Sequence, residues 1–382
     1  MGPIYLDYAA TTPADPLVVE AMRPFYFERF GNASSPHSFG QNARGAIEHS
    51  RATLADFIGA KPSEIVFTSG ATESNNQAVF STALSLIDKG RHVIICAIEH
   101  HSVLESAHRV AKLGYQVSFV KPNADGVIDP QAVFQLIRGD TILIAVHHAN
   151  NEIGVIQPVE EIGAVARQKG VRFLVDATQT LGHIPVDVRR ISCDLLSLSA
   201  HKFYGPQGVG ALYVREGIKL EPRLHGGDQE RGRRAGTHNL AGIVGLGKAI
   251  ELSRNHMGKE AKEQSALRDH IIDYVLTNIE NARLNGHRQQ RLPNNAHFSL
   301  EDVNGEDLVA VLDMTGIAVS QGSACTWGVL EPSHVLKAIG LSDTLALGSL
   351  RISLGRWTTR EEVDYFLQQL KSKVGQLRCR KK

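Results

Sequence analysis

The sequence predicts an α/β protein: a large domain with a mostly parallel seven-stranded sheet flanked by helices, plus a smaller α+β domain. Three observations lead there. Seven short apolar runs recur between Glu64 and Val214, and the early ones are separated by helix-length segments such as Ala71 to Leu86. That alternation is the rhythm of a parallel sheet with crossover helices. The length of 382 residues exceeds one simple domain. Beyond Gly226-Gly227 the pattern changes and becomes mostly helical.

The runs, in order, are Ile65-Val66-Phe67, Val93 to Ile98, Val117 to Val120, Thr141 to Val146, Val171 to Val175, Leu195 to Leu198 and Val209 to Val214. The last three follow one another without a clear helix, so the sheet should end differently from how it begins. A helical stretch is expected from about Leu240 to Ile279, with a break at Met257-Gly258. Strand, helix, strand and helix should then surround a second core. The final helix opens on Thr359-Arg360-Glu361-Glu362, a capping box. Val363, Phe366, Leu367, Leu370, Val374 and Leu377 follow on one helical face. The large domain is placed at 14–255, and the smaller one at 1–13 and 256–382.

Composition narrows the functional classes. Lys and Arg total 41 and Asp and Glu 40, a net charge of +1. Such a balance argues against a bulk electrostatic grip on nucleic acid or anionic lipid. No apolar run approaches a membrane span, and the N-terminus has no signal core. The four cysteines, Cys96, Cys193, Cys325 and Cys379, are far apart, which favours a reduced, cytoplasmic setting. The histidines are scattered and suggest no metal site.

Ligands of open α/β sheets bind beyond the carboxyl ends of the strands, so the residues after each run carry the functional reading. Thr68-Ser69-Gly70-Ala71-Thr72-Glu73 turns on small residues into a helix start, which suits a phosphate or is a plain cap. Glu99-His100-His101-Ser102 offers a ring that could stack on a flat cofactor or move protons. Asn150-Asn151-Glu152 could supply amides to a ligand or simply form a turn. Asp176, after an apolar strand, needs a cation or donors. Lys202, in Ser199-Ala200-His201-Lys202, lies between two apolar segments. A desolvated lysine can serve as a Schiff-base amine. Lysine, carboxylate and phosphate turn together fit pyridoxal 5′-phosphate (PLP). Cys325 stands in the small-residue loop Ser320 to Trp327 and suits nucleophilic work, or is a free thiol without a role. Cys96 and Cys193 read as packing. Arg351, inside the apolar Leu350 to Leu354 stretch, needs an anion: a substrate carboxylate or a structural ion pair.

Tyr5 to Pro13, Ser69 to Asn76, Asn150 to Gly154, Val175 to Gln179, Ser199 to Lys202 and Gly322 to Thr326 occur in order and resemble the NifS/IscS-type cysteine desulfurases, class V aminotransferase relatives of PLP fold type I. The resemblance covers nearly the whole chain. It implies that Lys202 holds PLP, that Asp176 pairs with the pyridinium nitrogen, and that Gln179 and Asn151 bond the phenolic oxygen. His100 would stack on the ring and help move protons. Thr72, Ser199 and His201 would bind the phosphate, with Ala71 also in the cofactor site. Thr237 would reach the phosphate of the other subunit, implying a homodimer. Arg351, Asn32 and Asn151 would hold the substrate.

The implied reaction converts L-cysteine to L-alanine, leaves the sulfur as a persulfide on Cys325 and passes it to a protein acceptor. Two departures stand out. Trp327-Gly328-Val329 replaces small polar residues, and no longer acidic and aromatic tail follows the last helix. Iron–sulfur cluster assembly, tRNA thiolation and DNA phosphorothioation therefore stay open as destinations. The competing readings are an aminotransferase, a selenocysteine lyase and a non-catalytic sulfur-relay subunit.

Overall fold

The computed structural model describes residues 2–322 and 331–381. The strands run β1 (Ile4–Tyr5), β2 (Ile65–Thr68), β3 (His92–Cys96), β4 (Gln116–Val120), β5 (Thr141–His147), β6 (Arg172–Asp176), β7 (Leu195–Ser199) and β8 (Gly210–Val214). They continue with β9 (Ala282–Leu284), β10 (Asn295–Leu300), β11 (Ile317–Ala318) and β12 (Ser349–Ser353).

Strands β2 to β8 form one seven-stranded sheet in the order β2-β8-β7-β6-β5-β3-β4. All neighbours from β4 to β7 are parallel, and β8 runs antiparallel to both β2 and β7. The antiparallel insertion of β8 is the different ending that the uninterrupted runs foretold. With no long helix between β7 and β8, the chain must turn straight back, and a short return allows only an antiparallel neighbour.

The central strands are buried throughout, which is why they read as unbroken apolar runs. On one face the helices Ala71–Ser85 and His101–Lys112 pack through Ala78, Val79, Val103, Ala107 and Val110. On the other, Ser38–Phe57, Val159–Lys169 and the first half of Leu240–Asn278 contribute Ile47, Leu54, Ile162, Ile243, Leu246 and Ile250.

Leu240–Asn278 is one continuous helix, which corrects the break expected at Met257-Gly258. Gly258 meets nothing nearby. A helical glycine costs about 1 kcal/mol relative to alanine, too little to stop a helix anchored at both ends. Its first half joins the sheet core and its second half, through Ile271, Ile272 and Val275, joins a second core. That second core holds β10 and β12 as well as the last helix, Arg360–Lys381. The capping box closes reciprocally: Thr359 N–H donates to Glu362 and Glu362 N–H to Thr359 Oγ1. Val363, Phe366, Leu367, Leu370 and Val374 are buried as the spacing predicts.

The N-terminus bridges the two cores. β1 pairs in parallel with β11, and Asp7 bridges to Ser353 beside β12. The chain then crosses to the sheet edge, where Thr12 N–H donates to the His201 carbonyl at 2.8 Å. In the other direction, Val335, Leu336 and Ile339 pack into the sheet core although they lie late in the sequence.

Candidate active site

The register of the central strands sets the floor of the site. His147, Asp176 and Ser197 form one row: the first two end β5 and β6, and Ser197 is the middle residue of β7. Above this edge opens a cavity of about 480 Å³. Its lining includes Gly70, Ala71, Thr72, Ser199 and His201. It also includes His100, Asn151, Asp176, Gln179, Lys202 and Arg351. The fold thus gathers onto one surface residues that lie far apart in sequence. Asn32 and Thr237 are not among the lining residues. The Asn32 side chain accepts from Ser34 N–H at 3.0 Å, and Thr237 is exposed. Cys325 and Trp327 lie outside the described residues.

Lys202 follows β7 in a short 3-10 turn, and the chain leaves it through Tyr204 in the left-handed region at φ 66°. A non-glycine residue there is uncommon. It is fixed by a hydrogen bond from Tyr204 N–H to Thr12 Oγ1 at 2.8 Å and by burial of the ring. The Lys202 amine donates to the carbonyl oxygens of Ala9 and Ala10 at 2.7 and 2.8 Å, so the N-terminal crossing positions it.

Gly70 precedes the helix Ala71–Ser85 with φ 152°, a backbone open chiefly to glycine. A Cβ on Gly210 would lie 2.7 Å from Gly70 Cα, so the two backbones touch and no side chain fills the cradle. Helix N-termini of this kind attract anions. Burial, with help from the neighbouring Lys202 charge, pulls His201 down to about 4, so its ring is neutral near pH 7. Its Nδ1 lies 3.0 Å from Thr11 Oγ1.

Asp176 is held from behind. Asn75 Nδ2 donates to its Oδ2 at 2.7 Å and Thr178 N–H to its Oδ1 at 2.9 Å. Gln179 donates to the Ala9 carbonyl at 3.0 Å. Arg351 is fully buried, and its guanidinium is already engaged. One nitrogen donates to Asp7 and one to the Asn151 carbonyl, at 2.8 and 2.9 Å, while Nε has no partner. The structural ion pair is therefore present, and a ligand carboxylate would meet the remaining nitrogen or compete with Asp7.

Sequence reasoning missed several members. Asn75, buried behind Asp176, was visible only as part of a helix start. Thr178 lines the cavity with an unpartnered hydroxyl, and so does His147, whose Nε2 has no hydrogen bond. Glu73 also lines it and pairs with Arg234 at 2.8 Å. Burial raises the Glu73 carboxyl, but Arg234 and Ser69 more than reverse that and hold it below its ordinary value. Among the described residues Cys96, Glu99 and His147 bring three ligand atoms within 4.8 Å of one another, a grouping the scattered histidines did not suggest. Cys96 and Cys193 are buried in the sheet core. Burial pushes both thiols well up.

The donor set fits a flat ring cofactor with a phosphate. It offers the amine of Lys202, a carboxylate fixed by Asn75 and Thr178, the His100 ring and a helix start preceded by glycine, all lining one cavity.

The sequence profile of the aminotransferase class-V family matches residues 4–366. The chain belongs to that family, and within it to the NifS/IscS-type cysteine desulfurases. It is 51% identical to cysteine desulfurase IscS of Dictyoglomus turgidum over 98% of this chain and 95% of that one. It is 47% identical to cysteine desulfurase IscS of Methanosarcina thermophila, over 98% and 93%. Among solved structures, a NifS-like protein superposes with a TM-score of 0.92 at 37% identity, covering 98% of this chain and 99% of that one. A structure described as SspA in complex with cysteine superposes at 0.83 and 39% identity, covering 93% and 100%. No helix of the described residues is long and apolar enough to cross a membrane.

Proposed function

We propose that this protein is a PLP-dependent cysteine desulfurase that takes L-cysteine, releases L-alanine and holds the sulfur as a persulfide on Cys325. The observation that carries the reading is the convergence of Lys202, Asp176 and the Gly70 cradle on one cavity, in a chain of this family. PLP bound there supplies an electron sink for the substrate carbon.

The chain's own residues do the rest. Lys202 holds the cofactor covalently and moves the substrate Cα proton. Asp176, aligned by Asn75 and Thr178, keeps a proton on the ring nitrogen. Asn151 and Gln179 orient the ring, His100 stacks on it, and Ala71, Thr72, Ser199 and His201 hold the phosphate. Arg351 receives the substrate carboxylate, with Asn32 and Asn151 beside it. The Cys325 thiolate then attacks the substrate sulfur. The carbon–sulfur bond breaks as a sulfur–sulfur bond forms, and the carbons leave as alanine after taking up a proton.

The working unit is a homodimer in which Thr237 serves the neighbouring subunit's phosphate. The large domain at 14–255 holds the cofactor, and the small one at 1–13 and 256–382 carries Cys325. The protein acts in the cytoplasm and hands its sulfur to a protein acceptor. Iron–sulfur cluster assembly is the destination best supported, since the relatives at 47–51% identity carry the IscS name.

The test is alanine release with cysteine as sole substrate, together with mass analysis for one added sulfur. Cys325→Ser should bind PLP and yield neither alanine nor persulfide at an appreciable rate. Alanine release at the wild-type rate from that variant would replace the desulfurase mechanism with a lyase-type elimination.

A further inference from the structure

The N-terminal crossing reaches the site at two places that an amino acid would touch at once. Its Ala9 and Ala10 carbonyls hold the Lys202 amine, as described above. Two residues before Ala9, Asp7 stands against Arg351. Backbone pairing puts it there: Ser353 N–H donates to the Leu6 carbonyl at 2.8 Å, and Tyr8 N–H to the Ser353 carbonyl at 3.3 Å. Arg351 and Ser353 share one face of β12, since side chains alternate along a strand. Tyr5 fixes the segment further, its hydroxyl donating to the Asp7 and Thr11 carbonyls at 3.0 Å each. Burial, then Asp7 and Tyr8, push that phenol up to about 12 against the Arg351 charge, so it stays a donor.

Building on the reading that Arg351 receives the substrate carboxylate, we infer that Asp7 is a positioning residue and internal counter-ion of Arg351. It holds the guanidinium ready in the empty site and weakens the grip on any carboxylate that arrives. Substrate cysteine and product alanine carry the same carboxylate, so both are held less tightly, which helps the product leave.

A guanidinium carries five N–H donors in a fixed fork. Nη1 of Arg351 donates to the Asn151 carbonyl at 2.9 Å and Nη2 to Asp7 Oδ1 at 2.8 Å, whereas Nε has no partner. Nε and Nη2 present hydrogens to the same edge. Asp7 thus occupies one prong of that edge and leaves the other empty. A ligand carboxylate on the empty prong would lie beside the Asp7 carboxylate, and like charges at that range disfavour each other. Among the described residues Asp7 is the one carboxylate in contact with Arg351. His297 pairs with Arg351 in register across β10 and β12. Burial, then Arg351 and Arg291, press its ring down to about 3, so it is neutral and supplies no charge of its own. Arg351 is only 1% exposed, so without Asp7 its charge would stand unmatched in the interior. A bound carboxylate would remove that cost.

The experiment compares the wild-type holoenzyme with Asp7→Asn, which keeps the size and an acceptor oxygen and removes the charge. Binding of L-alanine, which has no sulfur to lose, is followed by the visible absorbance of PLP. Its dissociation constant should fall about tenfold in the variant, the worth of one pK unit of like-charge repulsion. The KM for cysteine should fall with it. Ethylamine has the amine and no carboxylate, and its binding should be the same in both proteins. Melting with sodium propionate, against sodium chloride at equal ionic strength, needs no cofactor. The variant should melt below the wild type without propionate and gain more from it. Weaker or unchanged L-alanine binding in PLP-loaded Asp7→Asn would overturn the inference, and so would an equal gain for ethylamine. Arg351→Ala is the reference. Unchanged L-alanine binding there would defeat the reading of Arg351 as the carboxylate site, whereas weakened binding there without a gain in Asp7→Asn would defeat this inference alone. A wild type that binds no PLP would defeat the cofactor reading, and the propionate melts would then decide about Asp7. If Asp7→Asn does not fold, Asp7→Glu carries the test. It keeps the charge on a longer arm along the same edge, so L-alanine should bind more weakly, and unchanged or tighter binding would overturn the inference.

Discussion

Replacing Glu230 with glutamine tests how the Thr237 segment is secured. Glu230 is almost fully buried, and it accepts from both terminal nitrogens of Arg51 at 2.7 Å. It also accepts from Phe67 N–H at 2.9 Å and lies 2.8 Å from His238 Nε2. Burial alone would raise its pKa, but Arg51 and His238 more than reverse that and hold the carboxyl at about 2, against 4.5 ordinarily. Because the folded value is the lower one, the stabilisation is fully present above pH 4.5 and is lost as pH falls toward 2. At 1.36 kcal/mol per unit the shift is worth about 3 kcal/mol. Glutamine mimics the protonated acid and leaves buried Arg51 with only the half-exposed Glu48 at 3.0 Å; breaking a buried pair typically costs about 3–5 kcal/mol. The assay is denaturant unfolding of both proteins by tryptophan fluorescence at pH 7 and at stepped acid pH. The variant should be less stable by about 3 kcal/mol at pH 7, and the gap should close as acid protonates Glu230 in the wild type. Equal stability at pH 7, or a gap that stays constant to the acid limit, would refute the reasoning.

Three further outcomes are expected. Lys202→Ala should lose the visible absorbance of covalently held PLP and nearly all turnover; retention of both would remove Lys202 from its role. Arg351→Ala should raise the KM for cysteine roughly 10–150-fold, as loss of a charge-assisted hydrogen bond predicts. PLP absorbance should remain, and an unchanged KM in the folded variant would leave only the Asp7 ion pair. Gly210→Ala should unfold or fail to bind PLP, because its Cβ would press on the Leu198 carbonyl oxygen and on Gly70 at once; a stable, PLP-loaded variant would count against the cradle.

The strand-end residues were legible in the sequence because period and position carry them. Lys202, Asp176, His100 and Thr72 each follow an apolar run, and a parallel sheet turns that pattern into one functional edge. The start of the last helix and its apolar face were legible, since both are local, whereas the helix continues to Lys381, through residues that read as a frayed tail. The helix Leu240–Asn278 was not. Its continuity past Gly258 depends on two separate cores gripping its two halves. The sheet order, which sets β8 between β2 and β7, also follows from long-range pairing, which no local signal encodes.

The same divide runs through the site. Sequence pattern determined which chemical groups reach the edge of the sheet. Tertiary structure alone decided their partners. Asn75 meets Asp176 across 101 residues and Ser102 across 27. Arg351 meets Asp7 across 344, which turns an isolated buried cation into a pair. Hydrogen bonds and ion pairs fix charge and tautomer only at contact distance. The protonation of this site therefore belongs to the folded chain, while its inventory of groups belongs to the sequence.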